Sequence, residues 1–241
     1  MPEQCSLCSG RGLIIRDNEA EQCPCVKQRS INSKVKASQI PPKMSSYTFE
    51  SFQLKFYSNH KIDPVKKSSY RDSASTTLQA AKEFVGSYLD NPHIQGLLFT
   101  GPVGSGKTFL ACCIANILLA QNKTLLFAVV PDLLDQIKAT YDTNRLNTIT
   151  ESELLDTARE VPLLILDDLG AHNYTDWTKN KIFSIVNYRL NYLLPTIITS
   201  NISLEDLDDY LGERTRSRIV QMCRPYRLLV DMDIRMQMAR Q

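Results

Sequence analysis

The sequence Gly96-Leu-Leu-Phe-Thr-Gly101-Pro-Val-Gly-Ser-Gly-Lys-Thr108 joins a short apolar run to a glycine-rich loop. The loop matches the pattern G-x-x-x-x-G-K-[ST] in full, with a predicted strand before it and a predicted helix after it. Its glycines let backbone N–H groups close around phosphate oxygens, and the positive end of the following helix points at the same anion. The stretch therefore predicts a strand–loop–helix unit that binds nucleotide phosphates, with a tight turn that binds nothing as the weaker alternative.

Each polar side chain of this loop has an expected task. Lys107 is placed to neutralise the β- and γ-phosphates, and the Thr108 hydroxyl is placed to ligate Mg²⁺. The residues predicted to contact the nucleotide are Gly101, Pro102, Val103, Gly104, Ser105, Gly106, Lys107, Thr108 and Phe109.

Short apolar strands alternate with helical patterns on both sides of the loop. Strands are predicted at 96–100, 124–130, 161–166 and 196–200, and helices at 75–89, 109–120, 131–140, 151–159 and 177–194. Because strands that alternate with helices form parallel sheets, the expected fold class is α/β, with a parallel sheet covered by helices on both faces.

A second motif, Leu163-Leu-Ile-Leu-Asp167-Asp168, places two carboxylates directly after four apolar residues. A buried parallel strand delivers such groups at its carboxyl end, where ligands of open α/β sheets bind. Asp167 is expected to hold Mg²⁺ directly or through water, and Asp168 to polarise the attacking water as a general base. A solvated turn is the alternative, which the upstream phosphate loop disfavours.

Two further polar sites follow the predicted strand at 196–200. Asn201 is placed to orient the water near the γ-phosphate, although Asn after a strand is also a common turn former. Arg214 and Arg218 belong to a compact basic cluster, from which an arginine can reach the phosphate of a neighbouring subunit. A solvated basic helix start explains the same cluster, so the residues alone leave both alternatives open.

Four of the seven cysteines lie within the first 25 residues, as the pairs Cys5/Cys8 and Cys23/Cys25. A tetrahedral Zn²⁺ needs four soft ligands, and two close pairs can each supply two. The odd number of cysteines and the lack of a secretory start favour a reducing, cytoplasmic setting over a disulfide framework. Free thiols or a redox pair stay open, because the second pair has only one intervening residue.

The composition is that of an ordinary globular protein, with 241 residues of which 43% are hydrophobic and 22% charged. Its apolar runs are far shorter than the ~20 residues that span a bilayer, so no membrane partner is expected. The net charge of +2 is too small to predict a nucleic-acid surface by itself. The predicted organisation is a zinc-binding domain at 1–45, a linker at 46–74 with a few aromatic anchors, and an α/β domain at 75–241.

These elements, in this order, closely resemble the AAA+ ATPases of the bacterial replicative helicase loader family, which comprises DnaC- and DnaI-like proteins and their relative IstB, a helper ATPase of transposition. The resemblance covers residues 96–223 nearly throughout, including 163–170, 187–189 and 194–201. It implies a minimal AAA+ P-loop domain without a full lid domain, whose site is completed by a neighbouring copy. The cysteine-rich head resembles that of loader relatives, which implies a structural zinc that grips the helicase.

The same resemblance implies a role for each polar residue. Lys107 and Thr108 match Walker A, and Asp167 and Asp168 match Walker B. Many AAA+ proteins carry Asp-Glu in Walker B. Asp168 is shorter than that glutamate, which implies slow hydrolysis that suits a switch. The remaining roles are sensor 1 for Asn201, the arginine finger for Arg218 with Arg214 second, and a sensor 2-like arginine for Arg235.

The function that the resemblance implies is a Mg²⁺-dependent ATPase that loads a hexameric DnaB-type helicase onto single-stranded DNA and self-associates through its ATP site. Two alternatives stay open. One is an IstB-like ATPase that assists a transposase on double-stranded DNA. The other is a zinc-dependent adaptor that binds ATP with little hydrolysis.

Overall fold

The protein is described from a computed structural model, which covers residues 8, 13–16, 19–23, 38–141, 150–170 and 174–239. Near the N-terminus, β1 (Leu13–Arg16) pairs antiparallel with β2 (Glu19–Gln22). Three single-turn 3₁₀ helices follow, at Pro42–Met44, Phe49–Ser51 and Leu54–Phe56.

The α/β part alternates helices and strands as expected. Its elements are α1 (Tyr70–Asp90), β3 (Gly96–Thr100), α2 (Lys107–Ala120), β4 (Leu125–Val129), α3 (Val130–Ala139), α4 (Glu151–Glu160), β5 (Leu163–Leu169), α5 (Asp176–Asn191), β6 (Thr196–Ser200), α6 (Leu207–Leu211), α7 (Glu213–Met222), β7 (Cys223–Arg227) and α8 (Ile234–Met238).

Five of these strands form one parallel sheet in the order β4-β5-β6-β3-β7. Alternate residues of each strand face opposite sides, as the pleat requires. On β5, Leu163 and Ile165 pack in a core shared with α1 and α2, whereas Leu164 and Leu166 pack in a second core shared with α3 to α7. The prediction of a parallel sheet covered by helices on both faces is confirmed.

Two of the differences from the expected elements have a clear physical reason. Helix α1 begins at Tyr70, five residues earlier than predicted, because the Ser69 hydroxyl caps it by accepting from the Asp72 amide at 3.0 Å. Strand β7 was not predicted, because its sequence CRPYR is charged and contains Pro225. It lies at the edge of the sheet, where proline is tolerated.

Residues 38–69 lie across the first core rather than away from it. Phe49, Phe56 and Tyr57 are buried there, as the aromatic anchors in the predicted linker suggested. The Asn116 side-chain amide of α2 donates to the carbonyls of Met44 and Tyr47, at 2.9 Å each. This segment therefore covers one face of α2, while the division into three domains stays a prediction.

A fully buried arginine, Arg189 of α5, ties the amino ends of two strands to α4. Its five acceptors are all neutral oxygens, and burial lowers the pKa of this guanidinium to about 9. The acceptors are the Thr196 hydroxyl and the carbonyls of Ala158, Arg159, Val161 and Pro195, at 2.7 to 3.1 Å.

Cys112, Cys113 and Cys223 are fully buried thiols. Burial raises the pKa of each thiol, to about 12 for Cys113, so none of them is a reactive thiolate at neutral pH. In the parts of the chain that the structure describes, every helix is too short or too polar to cross a membrane.

Candidate functional site

The glycine-rich loop lies between the end of β3 and the start of α2, at the carboxyl edge of the sheet. Gly104 and Gly106 have φ angles of 73° and 93°, in the left-handed region that favours glycine. A Cβ at Gly106 would come within 2.8 Å of the Tyr57 hydroxyl, and one at Gly104 would overlap the Asp233 carboxyl group. Both positions therefore require glycine, and the loop keeps the open backbone that phosphate binding needs.

The loop carries polar groups that could donate hydrogen bonds to an anion. The Lys107 ammonium is buried and donates to the carbonyls of Gly101 and Pro102 of its own loop, at 2.8 Å each. Burial lowers the pKa of Lys107 to about 8, and the charges of Asp168 and Asp167 oppose that shift. The Ser105 hydroxyl is buried and has no hydrogen-bond partner among the residues that the structure describes. The loop thus fits the phosphates of a nucleotide, whose oxygens would accept from these donors.

Thr108 and Asp167, predicted together as magnesium ligands, are in contact. The Thr108 hydroxyl donates to Asp167 Oδ1 at 2.8 Å, which places two hard oxygen ligands beside the loop. Mg²⁺ commonly takes only one or two protein ligands and completes its shell with phosphate and water, so this pair fits the ion. Among the described residues no cluster of three or more His, Cys, Asp or Glu side chains is placed to hold a metal without such help.

Thr199 of β6 completes this arrangement. Its hydroxyl donates to Asp167 Oδ1 at 2.6 Å and accepts from the Asp168 amide at 2.9 Å. Burial raises the pKa of Asp167, while the hydroxyl donors Thr199 and Thr108 act in the opposite direction. Sequence reasoning missed Thr199, although it lies on the strand that runs beside β5 and two residues before Asn201.

Asp168 and Asn201 are also brought together as predicted. A β-bulge interrupts the pairing of β5 with β6 between Leu166 and Leu169, and Asp168 has a φ of 60°. Its Oδ1 accepts from the Asn201 side-chain amide at 2.7 Å. The bulge thus turns the second carboxylate towards a neutral donor on the neighbouring strand.

The three predicted arginines lie in two places. Arg214 and Arg218 are on α7, where Arg214 is exposed and Arg218 Nε donates to the Asn187 side-chain oxygen at 3.2 Å. In the described parts of the chain, neither guanidinium is joined to the phosphate loop by a hydrogen bond or ion pair. Arg235 forms an ion pair with Asp233, whose carboxyl group contacts Gly104 of the loop. This pair places Arg235 beside the loop.

Aromatic side chains from residues 47–57 buttress the loop and the first turn of α2. The Tyr57 hydroxyl donates to the Ser105 carbonyl at 2.8 Å. Tyr47 stacks on Phe109 with a centroid distance of 4.4 Å, and Phe52 lies 5.9 Å from the same ring. The sequence indicated these aromatics only as anchors, because nothing local ties them to a loop some fifty residues away.

The predicted four-cysteine site falls partly outside the described residues. Cys8 and Cys23 are buried, whereas Cys5 and Cys25 lie outside the described ranges. The zinc site therefore stays a prediction.

Comparison with known proteins identifies the family. A sequence profile described as IstB-like ATP binding protein matches residues 20–220. The chain belongs to this ATP-binding family. The resemblance drawn from the motifs is thereby confirmed, and the description of the family names ATP as its nucleotide.

Several relatives of this IstB-like protein are named as replicative helicase loaders. The replicative helicase loader DnaI of Bacillus subtilis (strain 168) is 27% identical over 237 residues, covering 91% of this chain and 69% of that protein. The loader DnaC of Buchnera aphidicola subsp. Baizongia pistaciae is 34% identical over 140 residues, covering 58% of this chain and 55% of that protein. A crystal structure of the DnaC helicase loader superimposes with a TM-score of 0.61 at 28% identity, covering 79% of this chain and 100% of that one.

Proposed function

We propose that this IstB-like protein is an ATP-dependent loader of a replicative DnaB-type helicase onto single-stranded DNA, with ATP binding and hydrolysis acting as its switch. The observation that carries the proposal is the chain of contacts from Thr108 through Asp167 and Thr199 to Asp168 and Asn201 beside the phosphate loop. Similarity to a loader over 91% of the chain supports the choice of partner.

In the proposed mechanism Lys107 exchanges the carbonyls of Gly101 and Pro102 for phosphate oxygens when ATP binds. A charge-assisted hydrogen bond to phosphate is stronger than one to a neutral carbonyl, so the exchange is favourable. Thr108 and Asp167 would hold Mg²⁺. The ion supplies positive charge that offsets the negative charge of the phosphates.

Asp168 and Asn201 would orient the water that attacks the γ-phosphate. Asn201 donates to Oδ1 of Asp168, and no donor among the described residues is bonded to the second carboxylate oxygen, so that oxygen can accept a proton or hydrogen bond from the water. The short side chain of Asp168 limits its reach, which supports slow hydrolysis. Arg218, or Arg214 in second place, would complete the site of an adjacent copy, so the protein would self-associate through ATP.

The N-terminal head would bind the helicase. We propose that Cys5, Cys8, Cys23 and Cys25 hold a structural zinc within a domain at 1–45, that 46–74 links it to the ATPase domain at 75–241, and that the protein acts in the cytoplasm. A closed four-cysteine site folds a segment too small to fold alone, which suits a docking module.

The direct experiment mixes the full-length protein with the replicative helicase of its host, with ATP, with ADP and without nucleotide, and follows complex formation by size exclusion. We expect a stable complex with ATP that Lys107→Ala weakens. Arg71→Ala, a change on the surface of α1, serves as the control and should leave the complex intact. A helicase that stays uncomplexed under all three conditions would refute the loader function.

A second candidate, an ATPase that assists a transposase on double-stranded DNA, is favoured by the family description itself. Affinities for single-stranded and duplex DNA of equal length, measured with ATP, separate the two. Preference for the duplex with filament formation would favour the transposition role. Steady-state hydrolysis that is no faster than in Lys107→Ala would instead favour an adaptor that binds ATP without using it.

A further inference from the structure

The last described part of the chain folds back over the phosphate loop. After β7, the Leu228 amide donates to the Thr100 carbonyl at 2.8 Å, next to the start of the loop. The Ile234 amide then donates to the Gly104 carbonyl at 3.0 Å, and the Asp233 carboxylate packs against Gly104 itself. The segment is thus fastened to the loop at both of its ends.

Asp233 and Arg235 form a side-on ion pair, in which the two carboxylate oxygens accept from Nε and Nη2 of the guanidinium. Asp233 Oδ1 accepts from Arg235 Nε at 3.1 Å and Oδ2 accepts from Nη2 at 2.7 Å. Oδ1 also accepts from the Arg235 backbone amide at 2.8 Å. Two parallel bonds fix the plane of a guanidinium, and the side-on form uses only Nε and one N–H of Nη2. Within the part of the chain that the structure describes, both N–H groups of Nη1 and one of Nη2 have no acceptor, so they can bind a phosphate.

The pair lies within electrostatic range of the site. Asp233 and Arg235 both act on the pKa of Lys107, in opposite directions, and Asp168 acts on the pKa of Arg235. An aspartate so close to a phosphate loop would repel a triphosphate unless its charge were balanced. Arg235 supplies that balance, and its side chain is 70% exposed where Asp233 is only 21% exposed.

We propose that Asp233 is a positioning residue: it fastens the guanidinium of Arg235 to the phosphate loop at Gly104, so that Arg235 can contact the γ-phosphate and the site distinguishes ATP from ADP. The inference rests on the proposed nucleotide site. Its competitor is a purely structural role, in which Asp233 only caps the five-residue helix α8 through the Arg235 amide.

The test measures the affinities of the full-length protein for ATP and ADP, together with steady-state hydrolysis, in Asp233→Asn, Asp233→Ala, Arg235→Ala and the double variant Asp233→Ala/Arg235→Ala. Asp231→Asn is the matched control, because Asp231 carries the same charge on the same segment but pairs with Lys61 at 2.9 Å. Asn is a good helix cap, so Asp233→Asn keeps the cap and removes the side-on pair. Thermal unfolding verifies that each variant is folded.

We expect Arg235→Ala to weaken ATP binding about 10-fold or more and ADP binding less than about 2-fold. The difference arises because the variant loses a charged hydrogen bond to the γ-phosphate, which ADP lacks. Each Asp233 variant should lose about 3- to 10-fold in ATP affinity relative to ADP, because a guanidinium that is free to rotate binds less well. The double variant should bind ATP no more weakly than Arg235→Ala, because without the guanidinium Asp233 has nothing to position and its unbalanced charge is also removed, and Asp231→Asn should match the wild type.

Three results would overturn the inference and leave the nucleotide site standing. Asp233→Asn could retain the wild-type ratio of ATP to ADP affinity while Arg235→Ala loses it, which would leave Asp233 as a cap. Both Asp233→Asn and Asp231→Asn could raise ATP affinity equally, which would mean general charge repulsion. Arg235→Ala could also change nothing. A folded wild-type protein that binds neither nucleotide would refute the proposed function and this inference with it.

Discussion

Replacing Thr199 with valine tests how the candidate site holds its magnesium ligand. Valine has nearly the same shape as threonine but lacks the hydroxyl that donates to Asp167 Oδ1 at 2.6 Å and accepts from the Asp168 amide at 2.9 Å. A hydrogen bond to a charged group contributes about 1.5–3 kcal/mol, and a buried amide left without a partner costs about 1–3 kcal/mol. Because one carboxylate and one backbone group are affected together, we expect the free energy of unfolding to fall by about 2–3 kcal/mol.

The same substitution should affect turnover more visibly than stability. If the loss of this hydrogen bond to Asp167 raises the activation free energy by about 1.5–3 kcal/mol, the rate of steady-state ATP hydrolysis falls about 10- to 100-fold. The lost donor favoured the charged carboxylate, so Thr199→Val raises the pKa of Asp167 further. Because a protonated Asp167 is a poor ligand, the acid side of the pH–rate profile should move to higher pH.

The assay is hydrolysis measured against pH at saturating Mg²⁺, with denaturant unfolding of the same samples. Thr199→Ser is the matched control, because serine keeps the hydroxyl and should stay near the wild-type profile. A folded Thr199→Val protein with the turnover and pH profile of the wild type would refute the reasoning, since Asp167 would then need no support from β6.

Three other perturbations have definite expected outcomes. Asp167→Asn removes a buried charge whose pKa is raised in the folded state, so it should abolish Mg²⁺-dependent hydrolysis yet stabilise the nucleotide-free protein on the order of 1 kcal/mol at neutral pH. That gain should vanish as the pH falls through the raised pKa, because both proteins are then neutral at this position, and chemical denaturation at several pH values checks it. Arg189→Met removes a donor from five oxygens, of which the Pro195 carbonyl keeps a second donor, the Leu164 amide, so it should lower the free energy of unfolding by about 3–5 kcal/mol, with Arg189→Lys losing less; equal stability of Arg189→Met and wild type would contradict the role of this guanidinium. Chelation should release about one zinc per chain and abolish helicase binding while ATP affinity stays within about 2-fold, and metal analysis that finds no zinc in the purified protein would contradict the four-cysteine site.

The sequence alone predicted the parts of the site that lie within single motifs. The phosphate loop and the two carboxylates near the carboxyl end of β5 are each contiguous, so a local pattern is enough to find them and to place them at one edge of a parallel sheet. Asn201 could be placed as well, because it directly follows a strand. These residues are the ones expected to carry the chemistry, and for that reason their types are distinctive.

The missed features all depend on contacts between distant parts of the chain. Thr199 looks like an ordinary strand residue until the pairing of β5 with β6 aligns it with Asp167. The Tyr57 contact with Ser105 and the Asp233 contact with Gly104 join segments that no periodic pattern connects. Strand β7 escaped notice because an edge strand can carry charges and proline that a central strand would exclude.

The backbone conformation at position 168 limits which side chains evolution can place there. With a φ of 60°, this residue occupies the left-handed region, where short polar side chains such as aspartate and asparagine are tolerated far better than longer ones. A glutamate, which many AAA+ proteins carry after the first aspartate, would have to adopt that conformation or flatten the bulge. A single Asp168→Glu exchange is therefore not expected to speed ATP hydrolysis. A faster variant would need compensating changes in β5 and β6 at the same time.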